Sequence, residues 1–182
     1  MTTMTDITHL TMVELEAGLD FMRQAPKDEG VLEAIIRRPQ KGGRESLEEG
    51  ELDTAEGLVG DNWKTRGAAH LDMQLTIMNA RAIAHISPDI ERRQLAGDQL
   101  FIDLDLSGEN LPPGTRLSIG SAVVEVTAEP HTGCKQFVAR FGLDAMKFVN
   151  SPQGKALNLR GINTKVVQSG TIRVGDSAKK AS

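Results

Sequence analysis

Hydrophobic and polar residues alternate along several short stretches of the chain. Leu75 and Ile77 alternate with polar neighbours, and Ile102, Leu104 and Leu106 alternate with aspartates. A period of two predicts strands that bury one face. Other β-prone runs, bounded by proline or glycine, are also expected to be strands. They cover residues 31–38, 117–119, 123–126, 162–168 and 171–175, the second and third joined as a hairpin by a tight turn at 120–121.

Helical periodicity is limited to short segments. Thr11 followed by Glu14 is a capping-box pattern, and the apolar stripe after it ends at Pro26, which predicts a helix over 11–24. Residues 40–70 combine many charges and glycines with little periodicity, so we expect them to form a long loop. The other predicted helices run from residue 79 to about 86, begin near 88–89, and cover 137–148.

These elements predict a mostly β or α+β domain. Strands and helices do not alternate regularly, which disfavours a parallel doubly wound sheet. A closed or partly closed β-barrel with peripheral helices is favoured, because closure removes exposed strand edges. The expected organisation is a helical appendage over 1–30 with a short N-terminal helix, a barrel domain over 31–177, and a C-terminal tail over 178–182.

Composition excludes several classes of function. The net charge of −4 and the aromatic content of 3% argue against general nucleic-acid binding. The first residues lack the basic and apolar regions of a signal peptide, and no apolar run has the length of a membrane span. One cysteine cannot form an internal disulfide, which fits a reducing compartment. We therefore expect a cytoplasmic protein that binds neither membranes nor nucleic acid.

The single cysteine, Cys134, lies in the segment His131-Thr132-Gly133-Cys134-Lys135. A nearby cation favours the thiolate, which is the form that attacks electrophiles and binds soft metals. The alternative is a buried structural cysteine, since a lone cysteine often behaves as a small hydrophobe. The adjacent residues leave both interpretations open.

A second candidate site contains histidine and carboxylates. His70 and Asp72 lie on the same side of an extended segment, and Asp61 ends the preceding segment Gly57-Leu58-Val59-Gly60-Asp61. Histidine and carboxylate ligands are typical of metal-dependent hydrolases. A histidine at the start of a strand is more often a surface or capping residue, so this hydrolase is an alternative hypothesis.

The order of several motifs resembles that of the MOSC domain, which is named for the C-terminal part of molybdenum cofactor sulfurases. The resemblance covers roughly residues 31–177. The motifs that carry it are Gly57–Asp61, Gln74–Thr76, Gly108–Leu111, Gly114–Gly120, Cys134, Arg160–Ile162 and Gly170–Asp176.

This resemblance implies a β-barrel-like fold and a pterin-based molybdenum cofactor. Cys134 falls at the position of the family's characteristic cysteine, which implies a persulfide carrier or a metal ligand. Asp61 would shape the cofactor pocket. Basic side chains would hold the cofactor phosphate, for which arginine offers a bidentate fork. The candidates for this role are Lys64, Arg66, Arg81, Lys135 and Arg160.

The sequence lacks the pyridoxal-phosphate lyase domain of the larger sulfurases, so pyridoxal phosphate is not expected to bind this chain. The partner implied is a sulfur donor, such as a cysteine desulfurase, or a redox protein. We predict molybdenum-pterin binding, sulfur transport on Cys134, or both. The associated reaction would be sulfur transfer or molybdenum-dependent reduction of N-oxygenated compounds. The alternative is a non-catalytic module that binds a small anion or a partner protein and has a buried Cys134.

Overall fold

The computed structural model describes residues 7–67 and 69–181, and in these residues seven strands close into a mixed β-barrel. The expected barrel with peripheral helices is confirmed. The strands are β1 (Glu29–Arg37), β2 (Glu45–Leu47), β3 (Glu49–Asp53), β4 (Gly57–Leu58), β5 (Leu75–Asn79), β6 (Leu100–Asp103), β7 (Arg116–Ile119), β8 (Ala122–Val126), β9 (Ile162–Gln168), β10 (Gly170–Arg173) and β11 (Ser177–Lys180).

Short helices surround the barrel. They are α1 (Met12–Glu16), α2 (Leu19–Arg23), α3 (Ala80–Ile86), α4 (Ile90–Arg93), α5 (Lys135–Phe141), α6 (Leu143–Val149) and α7 (Pro152–Ala156). Thr11 and Glu14 form the predicted capping box of α1, and the Asn79 side chain accepts hydrogen bonds from the backbone of Arg81 and Ala82 at the start of α3. No helix in the described part of the chain is long and apolar enough to cross a membrane.

The barrel order is β11-β7-β8-β9-β5-β6-β1, and β1 pairs again with β11 to complete the circle. The β5–β6 pair is parallel and the other pairs of the barrel are antiparallel. The predicted hairpin is formed by β7 and β8, with the left-handed Gly120 (φ 55°) in its turn. The strand that closes the barrel, β11, covers Ser177–Lys180, so the expected tail over 178–182 contains most of it.

Two apolar cores lie on the two sides of the barrel wall. The inner core collects the inward residues of the barrel strands, such as Leu32, Ile77 and Val124. The outer core joins outward barrel residues to the helices, and Phe137 and Phe148 are among its largest side chains. The N-terminal helices contribute Leu15, Leu19 and Met22 to this outer core. The expected appendage is thus packed against the helices that carry the site described below.

The prediction of one long loop over 40–70 is wrong. This segment contains β2, β3 and β4, and β3 and β4 form a small sheet with β10. The inward positions of β3 are Gly50 and Leu52. A Cβ at Gly50 would lie 3.0 Å from Leu58 Cδ1, so a side chain at this inward position would require Leu58 to shift. The glycine hides the alternation by which strands are predicted.

Glycines also divide two of the predicted helices. The helix expected over 11–24 is two helices, α1 and α2, and a Cβ at the intervening Gly18 would lie 2.4 Å from His85 Cδ2. The helix expected over 137–148 is α5 and α6, separated by Gly142 at φ 96°. Positive φ interrupts an α-helix and favours glycine. Close packing of His85 explains why residue 18 is a glycine.

Candidate functional site

A cleft of about 400 Å³ opens beside the outer core, where several loops meet the barrel wall. The thiol of Cys134, the imidazoles of His70 and His131, and several guanidinium groups line it. Arg38 follows β1, Arg140 is on α5, and Arg160 precedes β9. Residues from segments more than a hundred positions apart thus face one space.

Cys134 is exposed and lies immediately before α5. The alternative of a buried structural cysteine is therefore wrong. The loop that carries the thiol is tied down at Gly133, whose N–H donates to Asn150 Oδ1 (2.9 Å) and whose carbonyl accepts from Asn150 Nδ2 (3.2 Å). Earlier in the loop, Asn163 Nδ2 donates to the carbonyls of Glu129 (3.1 Å) and Pro130 (3.2 Å).

A buried carboxylate orients two of the side chains in the cleft wall. Asp98 Oδ1 lies 2.8 Å from His131 Nε2, and Asp98 Oδ2 accepts from Arg160 Nη1 at 2.6 Å. Burial opposes ionisation of Asp98, but the charges and hydrogen bonds of Arg160 and His131 outweigh it and lower its pKa to about 2. Gly161 permits this packing at φ 126°, since a Cβ there would lie 2.9 Å from His131 Cδ2.

Four consecutive backbone carbonyls each bind a different arginine of the cleft. The carbonyls belong to residues 94–97, which form a single 3₁₀ turn and its C-terminal Gly97. The bonds run from Arg44 Nε to Gln94 O (3.2 Å), from Arg140 Nη1 to Leu95 O (2.6 Å), from Arg160 Nη2 to Ala96 O (2.9 Å) and from Arg38 Nη1 to Gly97 O (3.1 Å). Carbonyls orient the guanidinium groups without neutralising their charge.

The arginines differ in how far their charge is balanced. Asp61 holds Arg38 with two bonds, Nε to Oδ1 (3.0 Å) and Nη2 to Oδ2 (2.7 Å), and Asp98 pairs with Arg160. Among the described residues, Arg44, Arg66 and Arg140 form no salt bridge with a carboxylate. The cleft therefore carries positive charge that its own acidic residues do not balance.

The crowding of these charges shifts their ionisation. Burial, and then the charges of Arg140, Arg38 and Arg66, lowers the pKa of Arg44 below its ordinary value. Partial burial, and then the charges of Arg38 and Arg140, likewise lowers the pKa of Arg66, although its side chain is exposed at the rim. An anion in the cleft would relieve this repulsion.

The structure brings together some of the residues singled out in the sequence. Cys134, Arg66 and Arg160 line the cleft. Asp61 lies behind the wall with its carboxylate fully buried against Arg38, so it positions that arginine. Arg81 pairs with Asp103 at 2.7 Å and stacks on Phe21, away from the lining. Lys64 and Lys135 are exposed neighbours of the cleft residues in sequence and are not among the residues that line it.

Four residues of the site have no role predicted from the sequence: Arg38, Arg44, Arg140 and Asp98. The basic pair before Pro39 at the end of β1 is a local signal for Arg38. Asp98 is 33 residues from His131 and 62 from Arg160, so no local pattern reveals that interaction.

The metal ligands suggested for a hydrolase are only partly assembled. Ligand atoms of His70, Asp72 and Glu129 lie within 4.8 Å of one another, whereas Asp61 is bound to Arg38 elsewhere. His70 Nδ1 accepts the backbone N–H of Asp72 at 3.1 Å. This bond places the proton of a neutral imidazole on Nε2, which faces Glu129, and a metal would have to displace it.

Together, the barrel, the exposed thiol and the cleft define a β-barrel protein with an arginine-lined pocket. The family model described as "MOSC domain" matches residues 64–179, which is more than half of the chain. The chain belongs to this family, which is associated with the molybdenum cofactor. A search of curated protein sequences returns no match.

Solved structures with the same fold are distant in sequence. YuaD from Bacillus subtilis is 16% identical with a TM-score of 0.58, and the match covers 82% of this chain and 94% of that one. YiiM from Escherichia coli is 18% identical with a TM-score of 0.56, covering 84% and 70%. A hypothetical protein is 19% identical with a TM-score of 0.60, covering 89% and 71%. At these identities the similarity establishes the fold alone.

Proposed function

We propose that the chain binds a molybdenum-pterin cofactor in the cleft and uses Cys134 as the reacting thiol. The observation that carries this proposal is the placement of an exposed thiol in one cleft with Arg44, Arg66 and Arg140, whose charges are unbalanced among the described residues. Arginine binds phosphate through parallel N–H bonds, and a thiolate is a soft metal ligand.

The donors and acceptors of the cleft suit the two ends of such a cofactor. The arginines would hold its phosphate. Arg160 Nε and Asn163 Oδ1 are buried in residues that line the cleft, and neither has a hydrogen-bond partner in the described structure. A donor and an acceptor of this kind match the polar edge of a pterin ring. When bound, the cofactor supplies a redox-active metal that already carries dithiolene sulfur ligands.

Cys134 can serve this function in two ways. As a metal ligand, its thiolate would occupy a coordination position. As a sulfur carrier, its thiolate would attack the outer sulfur of a donor persulfide, so that a new S–S bond forms on Cys134 and the donor leaves as a thiolate. The exchange conserves electrons and needs no oxidant. A cysteine desulfurase that carries a persulfide is a suitable donor.

Molybdenum content tests the ligand role. Protein produced in cells that supply the cofactor is expected to retain molybdenum, and Cys134→Ser is expected to lose it, measured by mass spectrometry of the metal. Arg66→Gln should lower both metal and pterin content, because it removes an unbalanced charge from the rim of the cleft. Arg173→Gln is the matched control, since Arg173 is exposed on β10 and pairs with Glu49. Equal metal in wild type and Cys134→Ser would refute the ligand role.

A mass measurement tests the carrier role. After incubation with a cysteine desulfurase and free cysteine, the intact protein should gain the mass of one sulfur atom. The gain should be absent from Cys134→Ser and reversed by a reducing thiol. If wild type gains nothing, Cys134 does not carry sulfur from this class of donor.

A further inference from the structure

A second cavity of about 560 Å³ adjoins the cleft on the far side of the arginines. The two spaces share Arg38, Arg44, Arg66, Gln136 and Arg140. The arginines are therefore a boundary between two cavities, each within the size range of small-molecule pockets. A ligand whose only anionic group ended at the arginines would leave the second cavity unfilled.

The far cavity has polar walls of its own. Residues 39–42, Asn62 and Thr65 complete its lining. Asn62 Oδ1 is buried and has no hydrogen-bond partner among the described residues. Buried polar atoms are normally paired, so an unpaired acceptor in a cavity wall points to a donor on a ligand. Hydroxyl and amino groups of a nucleoside are donors of this kind.

The arginine boundary suits a diphosphate. Backbone carbonyls hold Arg44 through Nε and Nη1 and hold Arg140 through Nη1, which leaves N–H groups of both guanidinium groups without a partner among the described residues. Arg44, Arg66 and Arg140 have no carboxylate partner among the residues described. Their unbalanced charge exceeds what one phosphate ester at the thiol side would neutralise, and it extends into the second cavity.

We propose that the arginine boundary binds the diphosphate of a nucleoside diphosphate group, with the nucleoside in the far cavity near Asn62. Together with the proposed function, on which this part of the inference rests, a nucleotide site here implies that the chain binds the molybdenum-pterin cofactor in a nucleotide-extended form. The pterin would face Cys134, the diphosphate would lie on the arginines, and the nucleoside would lie beyond them.

Calorimetry on the cofactor-free protein tests this proposal with CDP, GDP, CMP, pyrophosphate and inorganic phosphate as probes. At least one nucleoside diphosphate should bind about tenfold more tightly than pyrophosphate and than the monophosphate, because it engages both the arginines and the far cavity. Nucleoside diphosphates that bind no more tightly than pyrophosphate would overturn the proposal, as would an absence of diphosphate binding.

Two variants separate the parts of the site. Arg66→Gln should weaken pyrophosphate and nucleoside diphosphate alike by about tenfold, and Arg173→Gln should weaken neither. Asn62→Leu should lower the affinity for nucleoside diphosphate to that for pyrophosphate and leave pyrophosphate binding intact. If Asn62→Leu still binds nucleoside diphosphate more tightly than pyrophosphate, the nucleoside does not occupy the far cavity.

These outcomes are independent of the molybdenum measurements. Cys134-dependent molybdenum retention without nucleotide preference would preserve the proposed function and reject the nucleotide extension. Nucleotide binding together with molybdenum content that is insensitive to Cys134 would support the diphosphate site and reject the ligand role of the thiol.

Discussion

At the scale of single residues, the cleft depends on a buried negative charge. Asp98 is fully buried and holds His131 and Arg160 through its two oxygens. Arg160 is further fixed by the Ala96 carbonyl and by stacking over Phe137, with its guanidinium carbon 5.0 Å from the ring centre. Removal of one member of a buried ion pair leaves an uncompensated charge, which destabilises proteins by about 3–5 kcal/mol.

We expect Asp98→Asn to destabilise the protein by several kcal/mol at neutral pH, on the order of the penalty for an unpaired buried charge. The folded-state pKa of Asp98, about 2, is below the ordinary value of 3.8 for an aspartate. Its stabilising contribution is therefore present above about pH 4 and is lost as the pH falls toward 2. In urea unfolding, the difference in the free energy of unfolding between wild type and Asp98→Asn should become smaller from pH 7 to pH 3. The matched control is Asp20→Asn, whose side chain is 91% exposed. A difference that stays constant with pH would contradict the ionised role of Asp98.

At the scale of elements, the sequence predicted the features that depend on contacts between residues close together along the chain. The capping box of α1, the start of α3 after Asn79 and the β7–β8 hairpin depend on residues a few positions apart, and each is present. The 94–97 turn with its four arginines was not predictable, because its partners lie 45 to 64 residues away along the chain. Arginine side chains carry no periodicity that would indicate such convergence.

The loop that carries Cys134 is linked to the end of α6 by hydrogen bonds, and this link can be tested. Asn150, which follows α6, bonds to both backbone groups of Gly133, so it fixes the loop before the thiol. In hydrogen-exchange experiments, the Gly133 amide should be protected in wild type and should exchange faster in Asn150→Ala. The Val138 amide, which donates to the Cys134 carbonyl at 3.1 Å, is the internal control and should keep its protection. Unchanged exchange at Gly133 would show that Asn150 does not hold the loop.

At the scale of the whole molecule, distant ends of the chain complete the barrel. β1 pairs with β11, with Gly30 opposite Ala178. The number of short strands and the lack of regular strand–helix alternation were sufficient to predict a barrel. The closing strand was missed because its sequence, Ser-Ala-Lys-Lys, has one small inward residue and no apolar run. The same closure anchors β1, and Arg38, which follows it, reaches the cleft.

Substitution in β11 tests whether closure stabilises the whole domain. Ala178 is fully buried in the inner core, whereas the adjacent Lys179 is exposed on the same strand. Ala178→Val adds volume to a packed core, and overpacking of this kind typically destabilises by about 1–3 kcal/mol. Lys179→Gln should change the free energy of unfolding by less than about 0.5 kcal/mol, because it alters only an exposed side chain.

Ala178→Glu would bury an unpaired charge and should prevent stable folding, so the valine variant provides the quantitative comparison. Urea unfolding at neutral pH measures both. If Ala178→Val and Lys179→Gln unfold at the same urea concentration, β11 does not close the barrel in solution. The stability of the cleft would then depend on the remaining strands alone.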